Sequence, residues 1–271
     1  MSSCSGNCSS CSSSDCKDRD PHLKQNEYSN IKKIYAVVSG KGGVGKSSVT
    51  SLLACAMQSR GMQTAILDAD ITGPSIPKVF GIEGQAEADA SGIIPKETKT
   101  GIRVMSINLL LPQQDAPVVW RGPVISGAIQ QFFTEVAWGD VDYMFVDMPP
   151  GTGDVPLTVF QSLKVDGIIV VTTPQDLVGL IVSKAINMAS MMNVPVVGLI
   201  ENMSYFTCPN CSEKHHIFGK GSTDEVSERF GIPVLAKLPI DMRTPSLEDK
   251  GAIELADTDP LMPVIDTLLG E

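Results

Sequence analysis

The rhythm of apolar and polar positions changes at Ile31. Before it, Ser, Cys, Asp and Lys dominate and few apolar residues occur. After it, short apolar runs of strand length alternate with longer stretches of helical length. The runs Ile34–Ser39, Thr64–Asp68, Arg103–Asn108, Tyr143–Asp147, Gly167–Thr172, Val196–Glu201 and Val234–Leu238 read as strands. Most are unbroken apolar runs, the pattern of strands buried on both faces. Lys46–Arg60, Val124–Val136, Leu177–Met192, Thr223–Phe230 and Leu261–Leu269 read as helices. Alternating β and α predicts an α/β fold, a mostly parallel twisted sheet with helices on both faces. Ligands of such sheets gather at the carboxyl ends of the strands. Residues 72–102 read as an irregular insertion.

A chain of 271 residues with 42% apolar residues suits one large domain and a tail. Residues 1–30 are expected to be a flexible Cys-rich tail, because they lack the apolar surface to join a core. Residues 31–271 are expected to form the domain. A net charge of −10 argues against a nucleic-acid footprint. No apolar run approaches the roughly 20 residues of a membrane span, and the N-terminus shows no apolar signal segment. Seven cysteines in such a chain suggest a reducing, cytoplasmic setting. There, clustered thiols are more often metal ligands than disulfides. Cys55 stands apart within Leu52-Leu53-Ala54-Cys55-Ala56-Met57 and reads as core packing.

The chemistry begins after the first strand. Gly40-Lys41-Gly42-Gly43-Val44-Gly45-Lys46-Ser47 fits G-x-x-x-x-G-K-[ST], between a strand and a helix. The glycines let backbone N–H groups turn toward phosphate oxygens, and the helix N-terminus adds positive potential. Lys46 is expected on the β/γ-phosphates and the Ser47 hydroxyl on Mg²⁺, with Ser48 completing the nucleotide-binding run. Asp68 and Asp70 follow the second strand. Asp147 follows another and opens Asp147-Met148-Pro149-Pro150-Gly151-Thr152-Gly153-Asp154. A carboxylate after an apolar strand beside a phosphate loop holds Mg²⁺; that role goes to Asp147, and Asp68 reads either as a second holder or as a turn cap.

The remaining cysteines form two clusters. Cys208-Pro209-Asn210-Cys211 supplies two ligands, whereas Zn²⁺ or a [4Fe–4S] cluster takes four. The other two can come from His215 and His216, or from the same motif on a second chain. On chemistry alone, zinc and iron–sulfur stand close to even. Cys4, Cys8, Cys11 and Cys16 lie in the tail with spacing C-x3-C-x2-C-x4-C, compact enough to wrap one metal centre, iron–sulfur or zinc.

These motifs together resemble a known family. Lys41 gives the loop the deviant Walker A pattern K-G-G-x-x-G-K-[ST]. With Asp68–Ser75, Asp147–Asp154, Glu201-Asn202-Met203-Ser204 and the C-x-x-C followed by Ile217-Phe218-Gly219, the chain resembles the Mrp/ApbC family of iron–sulfur cluster carrier ATPases over about residues 31–269. The resemblance implies a homodimer in which Lys41 reaches the partner's nucleotide. It also implies that Asp70 orients the attacking water and that Gly151 lies in a switch sensing the γ-phosphate. Asn202, with Pro239 and Asp241, is implied to hold the adenine. Cys208 and Cys211 are implied to share a bridging [4Fe–4S] cluster across the dimer and to pass it to apoproteins, with cluster assembly machinery as a further partner. Cys4, Cys8, Cys11 and Cys16 match a second cluster motif present in some members.

Three rival readings remain. A positioning or partition ATPase needs a basic membrane- or DNA-binding surface, and residues 257–271 contain no Lys or Arg. An electron-transfer protein of the nitrogenase-reductase type places a cysteine soon after the second switch, and none lies between Asp147 and Cys208. A nucleotide-gated scaffold with structural zinc differs from the carrier only in its metal.

Overall fold

The computed structural model describes residues 22–71, 73–111, 122–175 and 178–270. The chain runs through β1 (Ser29–Ser39), α1 (Lys46–Ser59), β2 (Thr64–Asp68) and α2 (Ile76–Val79). Three short strands follow: β3 (Ala88–Asp89), β4 (Gly92–Ile93) and β5 (Lys96–Glu97). Next come β6 (Arg103–Met105), α3 (Gly122–Thr134), β7 (Gly139–Asp147), α4 (Asp154–Ser162), β8 (Gly167–Thr172) and α5 (Val178–Met191). The chain ends through β9 (Val196–Thr207), β10 (Lys214–His215), α6 (Thr223–Phe230), β11 (Val234–Pro239), α7 (Arg243–Asp249) and α8 (Met262–Leu269).

Among the described residues, β6, β2, β7, β1, β8, β9 and β11 lie side by side, every neighbouring pair parallel. β5 adds an antiparallel edge beside β6, and β10 folds back on the tip of β9. Every residue of β2 and β8 is buried, as expected for strands covered on both faces. Period-two alternation divides the core. Ile34, Ala36 and Val38 of β1 face α3, α4 and α5, whereas Tyr35 and Val37 face α1 and α8. Cys55 lies in this second core, where burial pushes its thiol up to about 12. That fits its reading as a packing residue.

The expected boundary after residue 30 falls inside β1. Leu23 packs on the core and its N–H donates to the Ser162 carbonyl at 2.7 Å. The Gln25 amide both donates to and accepts from the Ile31 backbone, at 3.0 and 2.8 Å. The domain therefore includes residues 23–30. Lys32 and Lys33 hid the start of the strand by breaking the apolar run. They pair at its exposed end with Asp142 and Asp166, at 2.7 and 3.0 Å. β6 ends at Met105, short of the expected Asn108, and passes into a 3₁₀ turn over Ile107–Leu109. The span 72–102 holds α2, β3, β4 and β5.

Candidate nucleotide and metal-binding site

β1 lies at the centre of the sheet, and its end launches the phosphate loop. Gly43 and Gly45 take φ of +77° and +76°, a region that costs an L-residue with a Cβ. Gly45 is the residue before the first turn of α1, with ψ 28°. A Cβ there would also strike the Asn202 side-chain amide. That amide donates to the Val44 carbonyl at 2.9 Å, so the end of β9 props the loop from beside it.

Asp147, wholly buried at the end of β7, gathers the inner side of the loop. Lys46 Nζ is paired with its Oδ1 at 2.7 Å. The Ser47 hydroxyl donates to Oδ2 at 2.6 Å and the Thr50 hydroxyl to Oδ1 at 2.7 Å. Thr50 was not anticipated, although it stands one helical turn after Lys46, where a side chain shares that face. Asp68 is directly opposite Asp147 in the β2–β7 register. It accepts from the Ser106 hydroxyl at 3.0 Å and from the Asp70 N–H at 3.2 Å. Burial, reinforced by the neighbouring Asp147 charge, raises the Asp68 carboxyl well above its ordinary value. Asp68 is thus a buried second carboxylate with a turn bond. The hydroxyl of Ser47 beside the carboxylate of Asp147 is a hard-oxygen donor set of the kind Mg²⁺ takes.

The segment after Asp147 is tied back to the central strand. The Met148 N–H donates to the Val37 carbonyl at 3.1 Å and the Gly151 N–H to the Ser39 carbonyl at 2.9 Å. Gly151 has φ +90°. Lys41 extends from the other side of the loop, and its Nζ donates to the Gln175 side-chain oxygen. Gln175 was missed, although it follows β8, the strand beside β1, where site residues collect. Asp70 stands after β2, near Gly73.

A cavity of about 600 Å³ opens beside the loop. Gly45, Ser48, Asn202, Pro239 and Asp241 all line it. Burial pushes the Asp241 carboxyl up. Hydrogen bonds from the Thr244 hydroxyl and from the Arg243 and Thr244 N–H groups outweigh it and hold the carboxyl below its usual range. Asp241 therefore caps the start of α7 as it lines the cavity. The same cavity reaches Phe206, Pro209 and Phe218, an extension that the sequence reading did not foresee.

β9 joins the two chemistries. It runs past the expected Glu201 to Thr207. Its pairing with β11 matches Lys237 with Glu201 and Pro239 with Tyr205, so β9 carries two extra residues between those pairs. Met203 sits in this bulge at φ 56°, and the bulge is where Asn202 turns toward the phosphate loop. Glu201 is buried at the bulge, accepting from the Ser204 hydroxyl at 2.5 Å.

The strand ends in the hairpin carrying Cys208 and Cys211. The Cys208 N–H donates to the Glu213 carbonyl at 2.9 Å, and the Ser212 N–H to the Cys208 carbonyl at 2.8 Å. Cys208 is half-buried and Cys211 exposed, both as free thiols. Hydrogen bonds from the backbone N–H groups of Cys211 and Asn210 hold the Cys208 thiol below its usual value. Such stabilisation favours the thiolate, the form that binds metal. His216 turns away from the thiols: its Nδ1 is 3.1 Å from the Ser204 carbonyl and its ring is edge-on to Tyr205. His215 behaves differently and lies near Cys211. Cys4, Cys8, Cys11 and Cys16 lie outside the described residues.

Comparison with known proteins agrees with this geometry. An iron-sulfur cluster carrier protein from Methanocaldococcus jannaschii is 46% identical over 93% of this chain and 90% of its own length. One from Clostridium perfringens is 42% identical over 96% of this chain and 98% of its own. A nucleotide-binding protein from Archaeoglobus fulgidus, solved in complex with ADP and with Co found in it, is similar in structure. Its TM-score is 0.76 at 44% identity, over 84% of this chain and 89% of that one. A chain of the MinC:MinD cell division protein complex from Aquifex aeolicus shares the fold alone, with a TM-score of 0.64 at 16% identity over 88% of this chain and 96% of that one. Residues 30–268 match the ParA-type family described as NUBPL iron-transfer P-loop NTPase, and the chain belongs to that family.

Proposed function

We propose that this chain is an ATP-hydrolysing carrier that binds a [4Fe–4S] cluster through Cys208 and Cys211 and passes it to apoproteins in the cytoplasm. The observation that carries the reading is the path of β9: one strand props the phosphate loop through Asn202 and ends in the thiol hairpin. The iron–sulfur carriers named above support the cargo.

In this reading Gly40–Ser48 cradle the phosphates of ATP. Lys46 exchanges its partner Asp147 for the β/γ-phosphate oxygens. Ser47 and Asp147, with Asp68 behind them, would hold Mg²⁺, which supplies charge neutralisation across the β/γ-phosphates. Asp70 orients the water that attacks the γ-phosphorus, and Lys41 leaves Gln175 to neutralise charge on the partner's nucleotide. Gly151 responds to the γ-phosphate through its bond to Ser39. Asn202, Pro239 and Asp241 border the adenine.

Two thiolates fill half of a cluster's four ligand positions, so a homodimer with two-fold symmetry supplies the rest. The exposed hairpin leaves the cluster open to attack by a recipient's thiolates. The cysteines of the tail hold a second cluster, and assembly machinery loads the carrier. The test is anaerobic reconstitution with iron and sulfide, followed by transfer to an apoprotein. One labile [4Fe–4S] cluster per dimer is expected at the hairpin, and Cys208→Ala or Cys211→Ala should abolish transfer while ATP still binds. Full transfer by the double variant would defeat the proposal.

A further inference from the structure

The hairpin carries more donors than a bridging cluster uses. The ligand atoms of Cys211, Glu213 and His215 all lie within 4.8 Å of one another. The convergence follows from the register of β9 and β10, with Lys214 opposite Thr207 and His215 opposite Phe206. Strand parity puts Glu213 and His215 on one side and Lys214 on the other. Lys214 accordingly lies over the Tyr205 ring, 4.3 Å from its centroid. The Cys208–Glu213 backbone bond closes the loop and brings Cys211 round to the same side.

From this geometry we infer that each chain has its own mononuclear site for a divalent transition metal, with Cys211, Glu213 and His215 as ligands and solvent in the fourth position. One sulfur, one imidazole and one carboxylate form a mixed S, N and O set of the kind that Zn²⁺ takes with a water completing the tetrahedron. Binding displaces the Cys211 thiol proton to solvent and changes no oxidation state. The site goes beyond the carrier reading, because it is complete within one chain and needs neither iron nor sulfide. It also competes with that reading: a metal held here occupies Cys211 and prevents it from bridging to a partner. Zn²⁺ or Co²⁺ would then keep the hairpin out of cluster traffic.

The test uses the full-length chain with Cys4, Cys8, Cys11 and Cys16 replaced by Ser, titrated anaerobically with Co²⁺ and back-titrated with Zn²⁺. Visible ligand-field absorption should saturate at one Co²⁺ per chain, with the chain monomeric at the end point. Loss of a metal's outer-shell partner alone weakens binding roughly 10–100-fold. Removing a ligand by Glu213→Gln or His215→Ala should therefore weaken Co²⁺ binding by more than about tenfold. Unchanged affinity in both variants would overturn the inference, as would saturation at one metal per two chains. Iron–sulfur reconstitution of the same variants separates the two proposals. Glu213→Gln and His215→Ala should still take up the bridging cluster, whereas Cys211→Ala should lose both.

Discussion

Gly45→Ala tests how the phosphate loop is held. The added methyl meets two obstacles. The backbone at φ +76° and ψ 28° lies in the left-handed region, which costs an L-residue about 1–2 kcal/mol. The methyl also displaces the Asn202 amide from the Val44 carbonyl, a bond whose net worth is about 1 kcal/mol. Together they amount to about 2–3 kcal/mol. At about 2–4 °C per kcal/mol for a chain of this size, the midpoint of unfolding should fall by roughly 5–10 °C. Asn202→Ala alone should cost about 1 kcal/mol. In the double variant the methyl finds space where the amide was, so the loss should be about 2 kcal/mol rather than the sum. The assay is urea unfolding of the four proteins, free of nucleotide and metal, arranged as a double-mutant cycle. Additive losses would show that Gly45 and Asn202 do not share the space described. A Gly45→Ala protein within about 0.5 kcal/mol of the parent would refute the backbone argument as well.

Further expectations follow from the same geometry. Lys46→Ala should weaken Mg-ATP binding by about 2–3 kcal/mol or more; Lys41→Ala should bind ATP but hydrolyse it slowly, and equilibrium binding beside steady-state turnover separates the two. Asp68→Asn should become increasingly stabilising as pH rises above 3.8. With its carboxyl raised in the folded state, Asp68 keeps a proton that the unfolded chain has lost. The parent therefore loses stability through the interval up to the folded value, and Asn removes that loss. Urea midpoints of both proteins from about pH 4 upward check this, and a difference that does not change with pH would contradict it. Deleting residues 1–21 should lower iron per chain and leave the unfolding midpoint in place. Deleting residues 1–30 should lower the midpoint too, because Leu23, Gln25 and the first residues of β1 are lost.

Much of the fold was legible because the central strands bury both faces. β2 and β8 have the bounds that their apolar runs suggest. Where a strand projects beyond the layers of helices, the signal fails: Lys32 and Lys33 in β1, and Asp140 and Asp142 in β7, are polar because that end meets solvent. α4 went unread because Pro149-Pro150-Gly151 precedes it and Pro156 stands in its first turn, although proline there removes no helical hydrogen bond. At the site, Lys46, Ser47 and Asp147 converge as the motif spacing suggests. The bond between Lys41 and Gln175, the reach of the cavity to Phe218, and the nearness of Cys211 to His215 join residues whose relation comes from register. No sequence period encodes such relations.

The bulge at Met203 also limits how this chain can change in length. From Tyr205 to Thr207 the strand alternates sides, with Phe206 toward the cavity and Tyr205 toward Lys214. Inserting or deleting one residue there would reverse every side chain up to the hairpin and turn Phe206 out of the cavity. Two residues would restore the sides while moving the thiols by about 7 Å along the strand. Beyond His215 the chain leaves the β9–β10 ladder, and length can vary there without this parity. Variation in length among relatives should therefore collect between His216 and Thr223. From Asn202 to Cys208 the spacing should stay fixed or shift by pairs, so the distance from nucleotide to thiol behaves as a quantised dimension of the molecule.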